Sequence, residues 1–214
     1  MPRLLLIAAL FLAAVNTSFQ VLDMRAAVYV TKPLATLALV ILVVRGTPAS
    51  RYRAWIAAGL IASLAGDILL MLPMNLFLPG LVAFLIAHVF YISAFAGDGG
   101  GWHAPLLPAL LMYGAAAVVL AFLWPSLGAM RAPVTGYVAV IATMAWQAVA
   151  RWQGRRSTAA ALAAAGSVCF LISDSALAFN RFVEPFAGAA FVIMATYYAA
   201  QWGIALSASD PAAK

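Results

Sequence analysis

The 214-residue chain is 66% hydrophobic and 8% charged, and its 12 Lys and Arg against 6 Asp and Glu give a formal net charge of +6. No soluble fold buries so large an apolar share, and apolar runs of about 20 residues recur along the whole length, which excludes a water-soluble domain and defines an all-α, polytopic membrane bundle. The basic residues fall in short segments between the runs, where they report topology; nucleic acid is excluded as a partner.

The first run, about 4–22, holds Asn16, Thr17 and Gln20 in its second half. It reads as a span and not as a cleaved leader, because it is long and lacks an A-x-A site. The second, about 26–44, carries Lys32 followed by Pro33 in its first turns; the third, about 55–72, carries Asp67. A short turn around Pro73, Asn75 and Pro79 leads into the fourth, about 76–95, with His88 and Tyr91. The Gly-rich segment that follows, GDGGGWH, reads as a flexible turn with Asp98 and His103 in water, since it lacks the strand and helix context of a phosphate loop. The fifth and sixth runs, about 104–124 and 133–150, bring Tyr137 near the start of the sixth and Gln147 near its end. The seventh, about 159–179, carries Ser173 and Asp174, and the eighth, about 186–207, carries Tyr197, Tyr198 and Gln201. The single cysteine, Cys169, lies in an apolar run, can form no intramolecular disulfide and reads as a packing residue.

Eight spans place both termini on one side. Arg3, Arg45, Arg51, Arg53, Arg151, Arg155, Arg156 and Lys214 fall on that side, against Arg25, Arg131 and Arg181 on the other. The positive-inside rule then makes the termini cytoplasmic, and Trp55, Trp102, Trp124 and Trp152 sit near run ends as an interfacial belt does; the expected location is a bacterial inner membrane.

A carboxylate in a span costs a few kcal/mol even on lenient scales, so Asp67 and Asp174 are expected to face the bundle interior and mark a site. Counted inward from the non-cytoplasmic ends, Asn16, Lys32, Asp67, Tyr137 and Asp174 all lie about five or six residues deep, roughly 8 Å at ~1.5 Å per residue. His88 and Tyr91, like Tyr197 and Gln201, lie deeper and share a helix face by their i, i+3 or i, i+4 spacing. The expectation is one polar pocket open to the outer side. Each member also has a plainer reading. Lys32 can form a structural ion pair with a carboxylate or snorkel to the headgroups. His88, Asn16 and Gln201 can be interhelical hydrogen-bond residues, the tyrosines packing residues, and Ser173 can back-bond within its helix. An offset of 107 residues superposes Asp67 on Asp174, Phe84 on Phe191 and Tyr91 on Tyr198, as a parallel repeat of two four-span halves would.

The blocks GDILLMLP (66–73), FLIAHVFYISAF (84–95), FLISDSALAFNRF (170–182) and YYAAQ (197–201), with the early KPL at 32–34, resemble the lysoplasmalogenase (YhhN-like) family of membrane proteins. The resemblance runs through nearly the whole chain. It implies an eight-span enzyme that cleaves the vinyl-ether bond of lysoplasmalogens to a fatty aldehyde and glycerophosphoethanolamine or glycerophosphocholine, with no metal or other cofactor. By position it singles out Lys32, Asp67, His88, Tyr91, Ser173, Asp174, Tyr197 and Gln201. Gln147 stands where a basic residue is expected in many relatives.

The residues suit that chemistry. An enol ether hydrolyses by protonation of its β-carbon, and water captures the resulting oxocarbenium ion. Two aspartates in a low-dielectric pocket supply an acid and an anion, as carboxylate pairs do in glycosidases, with Asp67, Asp174 and His88 as the catalytic set. Asn16, Lys32, Tyr91, Tyr137, Ser173, Tyr197 and Gln201 are the candidate substrate-binding set, with Lys32 for the phosphate. A zinc hydrolase needs about three protein ligands, and only His88 among the histidines lies in a span. A transporter of small solutes or lipids would use the same carboxylates, but its helices are commonly broken at mid-depth, whereas the prolines here cluster at span ends.

Overall fold

A computed structural model describes residues 2–99 and 105–210. Within them run eight long α-helices: α1 (Pro2–Val21), α2 (Arg25–Gly46), α3 (Arg51–Met71), α4 (Phe77–Gly97), α5 (Leu106–Leu123), α6 (Arg131–Arg155), α7 (Thr158–Phe182) and α8 (Ala189–Ser207). Two short 3-10 turns link α5 to α6, and no strand occurs among the described residues. All eight helices are long and apolar enough to cross a bilayer. The side chain of Arg3, and Trp102, His103 and Lys214, lie outside the described residues.

Two devices build the helix pairs. Ser50 and Ser157 cap α3 and α7 by accepting hydrogen bonds from the Arg53 and Ala160 amides, which satisfies a donor that a helix start otherwise leaves open. Glycine then lets backbones approach: a Cβ on Gly203 would lie 2.5 Å from the Leu162 carbonyl oxygen, and one on Gly166 would lie 2.8 Å from that of Ala200, so α7 and α8 meet nearly backbone to backbone. Ser50 to Ser157 and Asp67 to Asp174 keep the same offset of 107, so α3 and α7 carry the same cap and the same carboxyl. Corresponding helices also pair in the two halves, α1 with α2 and α5 with α6, α3 with α4 and α7 with α8. The faces turned away from the bundle carry exposed Leu4, Leu10, Phe11, Leu107, Leu110, Phe122 and Phe191, the surface that lipid covers.

At the terminus side the charges depart from the sequence expectation. Asp98, expected in water, is buried, and Arg151, expected in a loop, is fully buried inside α6. Arg151 Nη2 lies 2.8 Å from Asp98 Oδ2 and 3.2 Å from Asp210 Oδ2, its guanidinium stacks 4.3 Å from the centre of the Tyr52 ring, and Arg155 also pairs with Asp98. The cluster joins the ends of α4, α6 and α8. The sixth helix therefore runs to Arg155, past the expected end at 150, because its charges are neutralised by partners and need not leave the bundle.

Candidate functional site

The opposite end of the bundle encloses a cavity of about 280 Å³. It lies among the C-terminal turns of α3, α5 and α7 and the first turns of α4, α6 and α8. Its walls are mostly apolar: Leu70, Met71, Phe77 and Leu81 on one side, Val119, Leu123, Val134 and Val138 on another, Leu177, Ala178 and Phe182 along α7. Its polar groups are Gln20, Lys32, Asp67, Tyr137, Ser173, Asp174, Ser175 and Tyr197. Every helix is continuous at this depth.

The two carboxyl groups share the cavity but differ in surroundings. Asp67 is completely buried. The Lys32 ammonium lies 3.1 Å from its Oδ1 as an ion pair, and its Oδ2 accepts hydrogen bonds from Thr36 Oγ1 at 2.8 Å and the Tyr197 hydroxyl at 2.5 Å. Each of these three partners is a cation or a hydroxyl donor, so Asp67 serves them all as an acceptor. Asp174 is 18% exposed at its side chain, and among the described residues no Lys or Arg stands within ion-pair distance of it. Its Oδ2 accepts a hydrogen bond from the Tyr137 hydroxyl and lies 3.9 Å from His88 Nε2.

His88 stands behind Asp174 and does not line the cavity. Its Nδ1 bonds the Phe84 carbonyl of the preceding turn, which assigns the proton to Nδ1 and leaves Nε2 with a lone pair. Nε2 is buried with no hydrogen-bond partner and faces Asp174. The Phe170 ring, with its centroid 4.6 Å away, and that of Tyr137, at 5.3 Å, fix the imidazole edge to face.

A hydrogen-bond chain backs Asp67. Tyr91 donates to Gln201 Oε1 at 3.0 Å, Gln201 Nε2 donates to the Tyr197 oxygen at 2.9 Å, and Tyr197 donates to Asp67. All three donors point the same way, so each bond polarises the next. Gln201 and Tyr91, expected in the pocket, are buried one and two residues removed from it respectively and orient Tyr197 instead. Tyr91 itself sits over Gly59, where an added Cβ would fall 2.2 Å from its ring.

Asn16 lies outside the cavity lining, fully buried between α1, α2 and α8. It donates to Thr31 Oγ1 at 2.8 Å and accepts from the Tyr198 hydroxyl at 2.9 Å, the work of an interhelical tie. Lys32 is a cavity residue, but its ammonium is committed to Asp67 and does not reach the rim. Ser173 lines the cavity and spends its hydroxyl on the Ile193 carbonyl across the α7–α8 seam. Gln147 is buried and off the cavity. Sequence reasoning missed Gln20 and Ser175 as lining residues, although Gln20 is a polar residue in the same end turn of α1 that the other polar positions mark. No cluster of three or more His, Cys, Asp or Glu side chains suited to a metal forms among the described residues.

Fold and site together define a polytopic helical membrane protein with two intramembrane carboxyls on one mostly apolar cavity. The chain belongs to the YhhN family, whose sequence pattern matches residues 27–208. It is 38% identical over 160 residues to "Lysoplasmalogenase TMEM86A" of Bos taurus, covering 72% of this chain and 65% of that protein. To "Lysoplasmalogenase TMEM86B" of Homo sapiens it is 36% identical over 168 residues, covering 76% and 66%. To "Uncharacterized membrane protein YhhN" of Escherichia coli O157:H7 it is 29% identical over 182 residues, covering 84% and 86%. The matches thus span just under two thirds of the two lysoplasmalogenases. No solved structure matches the chain.

Proposed function

We propose that this protein hydrolyses the vinyl-ether bond of lysoplasmalogens, releasing a fatty aldehyde and a glycerophosphoethanolamine or glycerophosphocholine. The observation that carries the reading is the asymmetry of the two carboxyls: Asp67 is held as an acceptor by Lys32, Thr36 and Tyr197, while Asp174 has no such cation and is open to the cavity. The names of the two mammalian relatives agree with it.

In this reading Asp174 is the acid. It transfers its proton to the β-carbon of the enol ether as the C=C π electrons form the new C–H bond, leaving positive charge shared between the α-carbon and the ether oxygen. The Asp174 carboxylate so formed and the Asp67 carboxylate stabilise that cation across an apolar site where charge is poorly screened. Water adds to the α-carbon and returns a proton to Asp174. The resulting hemiacetal then loses the glycerol oxygen as an alcohol, giving the aldehyde. His88, packed edge to face on the Tyr137 ring whose hydroxyl donates to Asp174, is a positioning residue behind the acid and takes no direct part at the substrate. Tyr91 and Gln201 position Tyr197 and, through it, Asp67.

The apolar walls from α5 and α6 suit the alkenyl chain, and the cavity lies at the end of the bundle away from the termini. With the termini cytoplasmic in a bacterial inner membrane, the headgroup approaches from the outer leaflet. Reporter fusions after Lys214 and in the loop between α4 and α5 then both report cytoplasm; a periplasmic signal overturns this orientation. The function itself is tested by incubating the purified protein with a lysoplasmalogen and with its saturated 1-O-alkyl analogue. Aldehyde from the vinyl ether alone supports the proposal, and aldehyde from neither or from both sinks it.

A further inference from the structure

Lys32 is buried against Asp67, so the phosphate of a lysophospholipid needs a different cation. We infer that Arg181 is the headgroup-recognition residue, binding the phosphodiester of the substrate at the rim of the cavity. This rests on the assignment of Asp174 as the group that meets the enol ether.

Arg181 lies seven residues after Asp174 on α7, in its last turn. Seven residues are nearly two full turns, so the two side chains project from the same face about 10 Å apart along the helix axis. The cavity wall follows that stripe from Asp174 through Ala178 to Phe182. From the β-carbon of the enol ether to the phosphorus there are about seven bonds, roughly 9 Å in an extended chain with bonds of ~1.5 Å. A substrate with its β-carbon at Asp174 therefore places its phosphate at the level of Arg181.

The guanidinium is exposed and held in place for such a ligand. It stacks 4.0 Å from the centroid of Phe77, a cavity-wall residue, and its Nη2 donates to Asn75 Oδ1 at 3.0 Å. Both partners are neutral, and among the described residues no carboxylate pairs with it, so its charge is uncompensated. The other cations of that rim are placed differently: Arg25 pairs with Asp23, and Arg131, which also has only neutral partners, folds over Trp124, a residue that does not line the cavity, and bonds its carbonyl. Phe77 also meets Phe182 edge to face with centroids 5.5 Å apart, which ties the start of α4 to the end of α7 beside the guanidinium. A planar fork that is pre-oriented and still short of an anion is suited to two oxygens of a phosphodiester.

The test uses uncleaved ethers, so it is independent of turnover. Binding to the detergent-solubilised full chain is measured for 1-O-hexadecyl-glycerophosphoethanolamine, for 1-O-hexadecylglycerol, which has the chain but no phosphate, and for glycerophosphoethanolamine, which has the phosphate but no chain. The wild type binds the phospholipid at least about tenfold more tightly than the alkylglycerol, the effect expected of a charge-assisted hydrogen-bonded pair. Arg181→Gln removes that gap and leaves the alkylglycerol unchanged, and Arg181→Lys keeps part of it. Equal affinities in the wild type, or an equal loss for both lipids in Arg181→Gln, overturns the inference. So does tight binding of glycerophosphoethanolamine alone, which would mark a site for a free anion.

Discussion

Removing Lys32 tests the electrostatics of the site most severely. In Lys32→Met the apolar stem of the side chain is kept and the ammonium is lost, so the fully buried Asp67 keeps two hydroxyl donors but no counter-charge. Breaking one half of a buried ion pair costs about 3–5 kcal/mol. The Lys32 side chain is 11% exposed, which puts the expected loss near the lower figure, about 3 kcal/mol. At about 2–4 °C per kcal/mol for a chain of this size, the melting temperature falls by roughly 6–12 °C. Asp67→Asn alone strands the ammonium in the same way, but near the cavity, where it costs less. The double variant Lys32→Met with Asp67→Asn removes both charges and recovers most of the loss, because replacing a buried pair with neutral groups is close to neutral in stability. The assay is thermal or detergent-induced unfolding of all four proteins, read as a double-mutant cycle. A coupling energy below about 0.5 kcal/mol would refute the buried pair, since residues without mutual interaction add within that margin.

Asp174→Asn keeps shape and hydrogen bonding but removes the acidic proton, and it is expected to fold normally while losing about 10²-fold or more in turnover of the vinyl ether. His88→Gln, which touches the substrate nowhere, is expected to lower turnover by less than Asp174→Asn and to leave KM unchanged; a loss confined to KM contradicts its placement behind the acid. Gly203→Val forces side-chain carbon to within about 2.5 Å of the Leu162 carbonyl and separates α7 from α8, at a cost of about 1–3 kcal/mol or more by unfolding. Arg151→Met takes the Arg151 cation from Asp210 and leaves Asp98 to Arg155, and it is expected to cost about 3 kcal/mol with little effect on the chemistry of any folded fraction, read by comparing unfolding with specific activity.

The spans were legible because a bilayer demands about 20 apolar residues of each, and the two aspartates because a carboxyl in such a run is too costly to be incidental. Their shared level in the bundle was legible too, since position along a helix follows from counting at ~1.5 Å per residue. What counting does not give is rotation about the helix axis. Asn16 has the expected depth but faces α2 and α8, and Tyr91 and Gln201 face Tyr197 from behind, while Gln20 was passed over although it faces the cavity. Partner choice was hidden for the same reason. Lys32 reads either as a rim cation or as half of an ion pair with one of the aspartates until Asp67 is seen 3.1 Å away, and Arg181 reads as a topology charge until it is seen held by Asn75 and by Phe77 of the cavity wall. The Arg151, Asp98 and Asp210 cluster joins residues 53 and 59 positions apart, and each of them alone looks like a charge in a loop.

The central claim is that a carboxyl in the cavity protonates carbon, and it is tested most directly by turnover of a lysoplasmalogen in D₂O with mass analysis of the aldehyde. The account predicts one solvent deuteron at the aldehyde carbon next to the carbonyl, a solvent isotope effect on turnover because carbon protonation is the slow step, and loss of the reaction in Asp174→Asn. Aldehyde released without deuterium at that carbon would mean that the bond breaks by another route, and would contradict the account.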